Sequence, residues 1–319
     1  MTHRPYCRRL MRSPAASRAI PGEILMTLVA ILWGSAFPVT RVLLEDLPPL
    51  GAAAWRTFLA AGAVAVFAVA RGDLGALLPA RQVRGRLLVL ALLGGPLFLI
   101  GLNVSVLLTG ASIASFVTGT YPLLAVAAAT LVLREALARR VVMALLVAAL
   151  GLLLLARPGG AHVHLLGVLV ALAAAVSFAT YLALARRWGS PSLPFLMIAF
   201  WLLVASTVLT GLLQLLTNPA GLRLDLSTNG WWALIWLALP ASALPHLLVT
   251  STLRRLPASR AAPFLLLMPV AGAAIAAVLL GERLDAIQLF GAGIILLGVG
   301  VATVRRRRGP APAFEITAG

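Results

Sequence analysis

Charge is scarce in this chain, and negative charge is scarcer still. Of 319 residues only 11% are charged and nine are acidic, whereas 61% are hydrophobic and the mean hydropathy is +1.02. A soluble domain cannot hide that much apolar surface, so the chain belongs in a bilayer. One cysteine, Cys7, excludes an internal disulfide and a cysteine-based metal site. The acids are Glu23, Glu45, Asp46, Asp73, Glu135, Asp225, Glu282, Asp285 and Glu315, and none falls in the middle of an apolar run. A carrier that exchanges cations for protons needs a buried carboxylate. The lack of one therefore argues towards a neutral, zwitterionic or anionic solute. No Walker loop, His-Glu-x-x-His or nucleophile elbow occurs, so the sequence points to no enzyme and calls for no cofactor. His162 and His164 lack further ligands and read as solvated, so no metal is expected.

What is present is ten apolar runs, each near the ~20 residues that ~30 Å of hydrocarbon requires. They are Ile24 to Leu44, Gly51 to Ala70, Leu87 to Leu108, Ser112 to Leu133, Val141 to Ala156, Leu165 to Ala185, Leu193 to Leu216, Trp231 to Leu253, Ala261 to Leu280 and Ala286 to Val304. With the N-terminus inside, 21 of the 26 basic residues fall on the inner side. Only Arg41, Arg157, Arg223 and Arg283 fall outside, and Arg56 lies within the second run. That asymmetry predicts both termini in the cytoplasm of a multi-pass inner-membrane protein. It also accounts for the net charge of +17 without a nucleic-acid partner. Residues 1–22 read as an Arg-rich cytoplasmic tail and 305–319 as a second one. The first run continues into Trp33 and Arg41 with no cleavage site, so it is expected to be retained. Met1, Met11 and Met26 are all candidate starts.

The chain also repeats itself. Ala114 to Gly151 recurs as Ala261 to Gly298, with Pro122 over Pro269, Glu135 over Glu282 and Gly151 over Gly298, at one spacing and without a gap. Aliphatic matches are cheap in such a composition, but a Pro, a Glu and a Gly in register are not. Residues 23–157 and 164–304 are therefore two repeats. Five spans in each would insert the second repeat from the opposite side. The expected fold is an all-α polytopic membrane protein, ten transmembrane helices in two inverted five-helix repeats. Such symmetry suits a secondary transporter, in which exchanging the conformations of two similar halves opens one site to alternate faces.

Several of these residues resemble the drug/metabolite transporter superfamily, specifically ten-helix permeases with two EamA domains. The matching pieces are Trp33-Gly34-Ser35 with Phe37, Arg56-Thr57-Phe58 and the block from Ala111-Ser112 to Glu135. Leu256-Pro257-Ala258-Ser259, Pro269 to Gly281-Glu282-Arg283-Leu284 and Gly291 through Gly298 complete them, so the likeness spans about residues 24 to 304. Two departures stand out. Arg134 occupies the position that Gly281 holds in the second copy, and Ala175 stands where Trp33 would recur. The resemblance implies a transporter, usually an exporter, of metabolites, amino acids or drug-like solutes. The rival readings are a non-transporting sensor or scaffold, and a flippase of lipid-linked sugars. A homodimer is an open assembly.

Arg56 is the sharpest site candidate. A guanidinium inside a span is expensive and faces a cavity or a partner. It either grips a substrate carboxylate or phosphate, or, being near the start of its run, snorkels or pairs with Glu45 or Asp46, which its shallow depth favours. His246, between Pro240 and the end of its span and next to Pro245, is a candidate for proton coupling or for a plain interhelical bond. Trp33, Ser35, Asn103, Tyr121, Tyr181 and Thr250 are the further candidates for a chamber with a few polar contacts on an apolar wall, with helix packing as the alternative for each. Glu135 and Glu282 are expected to be structural, tying up free N–H groups of the next helix or a nearby arginine. Asp285 with Gln288 reads as a capping box. Pro122 and Pro269 are expected to break their helices at equivalent depths, where rocking is absorbed.

Overall fold

The computed structural model describes residues 21–133, 139–155, 164–188, 193–252, 264–265 and 267–303, and every regular element among them is helical. The first half contains α1 (Gly22–Leu43), α2 (Pro49–Ala70), α3 (Arg84–Gly94), α4 (Pro96–Thr109), α5 (Ala111–Thr118), α6 (Tyr121–Leu133) and α7 (Arg139–Leu155). The second contains α8 (Leu165–Trp188), α9 (Phe195–Thr217), α10 (Thr228–Ala238), α11 (Leu244–Thr252), α12 (Leu267–Leu280) and α13 (Ala286–Thr303). Six stretches are long and apolar enough to cross a membrane, namely 22–43, 49–70, 74–109, 165–185, 195–217 and 228–249. Four shorter apolar helices accompany them, over 111–125, 142–151, 267–280 and 286–298. Leu131 at 82% and Val278 at 90% exposure belong to an apolar outer surface that suits lipid rather than water.

Among the described residues three expected spans are interrupted. The third divides at Gly95, where a Cβ would stand 2.6 Å from the Leu202 carbonyl and 2.7 Å from Ser206 Oγ, so glycine admits the close approach of α9. Pro96 then opens α4, a position where its missing N–H costs nothing. The fourth span divides at Gly119–Thr120. The eighth passes through one wide, π-type turn, Leu239–Ala243, because Pro240 and Pro245 supply no N–H to a regular ladder. Pro122 and Pro269 each fall in the first turn of a helix, α6 and α12, so they begin helices rather than kink them.

Packing follows the duplication. Exchanging first-half for second-half elements turns the contact of α1 with α12 into that of α8 with α6. It also turns the contact of α3 and α4 with α8 into that of α10 and α11 with α1. The pairs α2 with α9, α5 with α12 and α7 with α13 map onto themselves. Gly34, part of the motif in α1, makes one of these crossings possible, since a Cβ there would meet the Met268 carbonyl of α12 at 2.5 Å. The halves are thus interleaved, and a cavity at their centre draws its wall from both.

Candidate functional site

That central cavity is small and partly open, with about 70 Å³ of room for the centres of water-sized molecules. The first half supplies Trp33, Arg56, Phe98 and Tyr121, and the second supplies Phe178, Ser242, His246 and Met268. Its wall is largely apolar and includes a cluster of rings: Phe98 lies 4.6 Å and Tyr121 5.0 Å from Phe178, ring centre to ring centre, and Trp33 meets His246 edge-on at 5.9 Å. Such rings present broad apolar faces at little conformational cost.

Arg56 lies seven residues beyond Pro49, about 10 Å along the α2 axis. It is 6% exposed, so it does not snorkel. Its Nε donates to Ser242 Oγ at 2.8 Å, and its Nη1 is enclosed with no partner. Neither expected acid reaches it. Asp46 instead accepts from the Ser227 backbone N–H at 3.0 Å and the Ser227 hydroxyl at 2.7 Å, and Glu45 lines a separate cavity at one end of the bundle. The π-type turn brings Ser242 to Arg56. One turn later His246 bonds back to the Ser242 carbonyl at 2.6 Å, and because a carbonyl only accepts, Nδ1 carries the proton. The Tyr121 hydroxyl is also buried without a partner.

Of the candidates, Trp33, Arg56, Tyr121 and His246 line this one cavity, whereas the others do not. Ser35 donates to the Leu32 carbonyl and receives Trp236 Nε1 at 2.9 Å, a packing contact. Asn103 donates to the Pro49 carbonyl at 2.9 Å and ties α4 to α2. Tyr181 packs behind the wall, 5.2 Å from Phe178. The side chain of Thr250 lies outside the described residues. Phe98, Phe178 and Ser242 were missed. The pair of prolines flanking Ser242 was the available signal for it, while nothing in the sequence separates these phenylalanines from lipid-facing ones.

The charged fitting at the end of the bundle differs from expectation in its partner. Glu282 accepts from the backbone N–H groups of Ala111 and Ser112, each at 2.8 Å. It caps α5 of the other half, not the helix that follows it. Gly110, at φ +80°, leaves room for the carboxylate, since a Cβ there would lie 2.9 Å from Oε1. Glu135 lies outside the described residues. Asp285 and Gln288 do form the expected box, with Gln288 N–H donating to Asp285 Oδ1 at 2.8 Å and Asp285 N–H to Gln288 Oε1 at 3.1 Å. No group of potential metal ligands occurs among the described residues.

Comparison with known proteins agrees with this architecture. The profile of the EamA-like transporter family matches twice, over residues 20–157 and 165–304. A protein of Salmonella typhimurium described as a probable amino-acid metabolite efflux pump is 30% identical over 294 residues, covering 86% of this chain and 92% of that protein. An Escherichia coli protein with the same description is 29% identical, with the same coverage. A crystal structure superimposes with a TM-score of 0.64 over 89% of this chain and 96% of that one, at 22% identity, and so shares the fold.

Proposed function

The chain belongs to the EamA-like transporter family, a multi-pass membrane permease of the drug/metabolite transporter superfamily, and from that premise we propose that it exports small amino-acid-type metabolites across the cytoplasmic membrane by alternating access. The observation that carries this reading is the chamber itself, apolar and aromatic, placed between two duplicated halves, with a single guanidinium turned into it. The topology that accompanies it is ten crossings in two inverted repeats, residues 23–157 and 164–304, with both termini in the cytoplasm. The exchange pattern of the helix contacts and the double family match support that topology. A lipid-linked sugar flippase calls for a larger and more polar chamber than this one, and a sensor or scaffold calls for no flux.

The test is counterflow in proteoliposomes preloaded with unlabelled amino acids or their acylated, hydroxy and oxo derivatives. Labelled solute of at least one class should accumulate above protein-free liposomes and be displaced by its unlabelled form. Absence of counterflow across the panel overturns the carrier reading. The same vesicles decide whether His246 couples a proton: a pH gradient should accelerate flux in the wild type but not in His246→Gln. Equal acceleration in both removes that role.

A further inference from the structure

Arg56 is a permanent cation in a chamber whose described lining holds no permanent anion. Its guanidinium stays protonated at any physiological pH, and it is buried at the wall of an apolar chamber. Among the described residues no acid is paired with it. Asp46 holds Ser227, Glu282 holds Ala111 and Ser112, Asp285 caps α13, and Glu45 lines the cavity at the bundle end. Glu23, Asp73 and Asp225 lie at or beyond helix ends, and Glu135 and Glu315 lie in the link after α6 and in the C-terminal tail by sequence. Among the residues that line the chamber none is a carboxylate.

The neutral partner of Arg56 sharpens the point. Ser242 Oγ receives Nε and fixes the plane of the guanidinium, but it brings no charge. The donors left over are those on the two Nη atoms, and Nη1 is enclosed with no partner. The outer edge of that fork matches the two oxygens of a carboxylate. The Tyr121 hydroxyl, likewise buried and unpartnered, offers one more neutral polar contact. An ammonium group finds the reverse situation. It meets no carboxylate among the described lining residues; the ring faces attract a cation weakly, but a guanidinium within a few ångströms repels it in a medium of low dielectric.

We propose that the chamber selects monocarboxylates with an apolar body and no compensating cation, such as N-acylated, 2-hydroxy or 2-oxo relatives of amino acids, with Arg56 supplying the counter-charge. The inference rests on the carrier reading for its setting and names the substrate class of the same chamber. It predicts a rank by charge on one skeleton. N-acetyl-leucine and 4-methyl-2-oxopentanoate bind best, zwitterionic leucine binds at least tenfold more weakly, and cationic leucinamide does not bind.

The purified full-length protein in detergent, titrated with these four compounds and followed by thermal stabilisation and by tryptophan fluorescence, gives that rank directly, and Trp33 in the chamber wall supports the second readout. Arg56→Gln should erase the difference between anion and zwitterion, and Arg56→Lys should retain part of it. The wild-type series stands by itself if either variant fails to fold. Equal binding of leucine and N-acetyl-leucine, no binding of either monoanion, or a rank that survives in Arg56→Gln each overturns the proposal. Charge-ranked binding without counterflow would remove the carrier reading and leave this inference. Counterflow of leucine or leucinamide that is indifferent to Arg56→Gln would do the opposite.

Discussion

Arg56, buried in the chamber, and Glu282, half-buried at the bundle end, are both charges whose bonds cross between the halves, and they are housed in opposite ways. Glu282 comes from the second half and receives two N–H groups from the first turn of α5, so its charge and the orphan donors of a helix end satisfy each other. Arg56 comes from the first half and receives one hydroxyl from the second, which leaves a charge and an enclosed nitrogen unmet. The first arrangement is complete without a ligand and reads as a fastening between halves. The second is incomplete, and an incomplete buried charge beside a cavity is where a solute of opposite charge gains most.

The strongest way to break this comparison is Arg56→Gln. Loss of the anchor should weaken transport of a carboxylate by about 2–4 kcal/mol, roughly 30- to 700-fold in kcat/KM. The melting temperature should hold or rise, because an unpaired buried charge is gone. A variant with normal flux would place Arg56 outside the substrate path. Glu282→Ala should show the mirror image. Loss of two charge-assisted bonds is expected to cost about 1–3 kcal/mol of stability, read as a lower melting temperature in detergent, while flux per folded molecule persists. Unchanged melting with abolished flux would move Glu282 from fastening to mechanism.

Gly110→Ala perturbs the fastening side through the backbone. A side chain at φ +80°, ψ 169°, a region open essentially to glycine alone, costs about 1–3 kcal/mol and its Cβ also presses on Glu282 Oε1, so the melting temperature should fall. The double variant with Glu282→Ala should lose less than the sum of the single effects. The smallest effect is expected on the chamber side. Tyr121→Phe removes a hydroxyl that has no protein partner, so stability should not fall, and solute affinity should weaken by about 0.5–1.5 kcal/mol, roughly two- to tenfold in binding titrations. A marked loss of stability instead would mean the hydroxyl serves the fold.

Four of the seven chamber candidates with described side chains show where legibility ends. Trp33 and Tyr121 reach the chamber, whereas Ser35 and Asn103, equally polar and equally deep in their runs, bond backbone in their own or a neighbouring helix. Rotation about a helix axis decides between these fates, and a nearly uniform apolar sequence carries no periodic signal of rotation. Arg56 is harder still to place from sequence, because distance from the start of an apolar run carries no information on rotation, and α2, which begins at Pro49, turns the guanidinium inwards. The capping box of Asp285 and Gln288 was readable because its partners are three residues apart.

By itself the sequence determined the solvent, the duplication and the family. These depend on composition and on the spacing of rare residues such as Pro269, Glu282 and Gly298, which survive in one dimension. The tertiary structure alone decided that Glu282 fastens α5 across about 170 positions, and that Ser242, from the other half, is the partner of Arg56. It decided as well that no carboxylate among the lining residues answers that guanidinium. Each is a matter of which helix faces lie together between two interleaved halves, and the free energy of a buried charge depends on what stands within a few ångströms of it, whatever the distance along the chain.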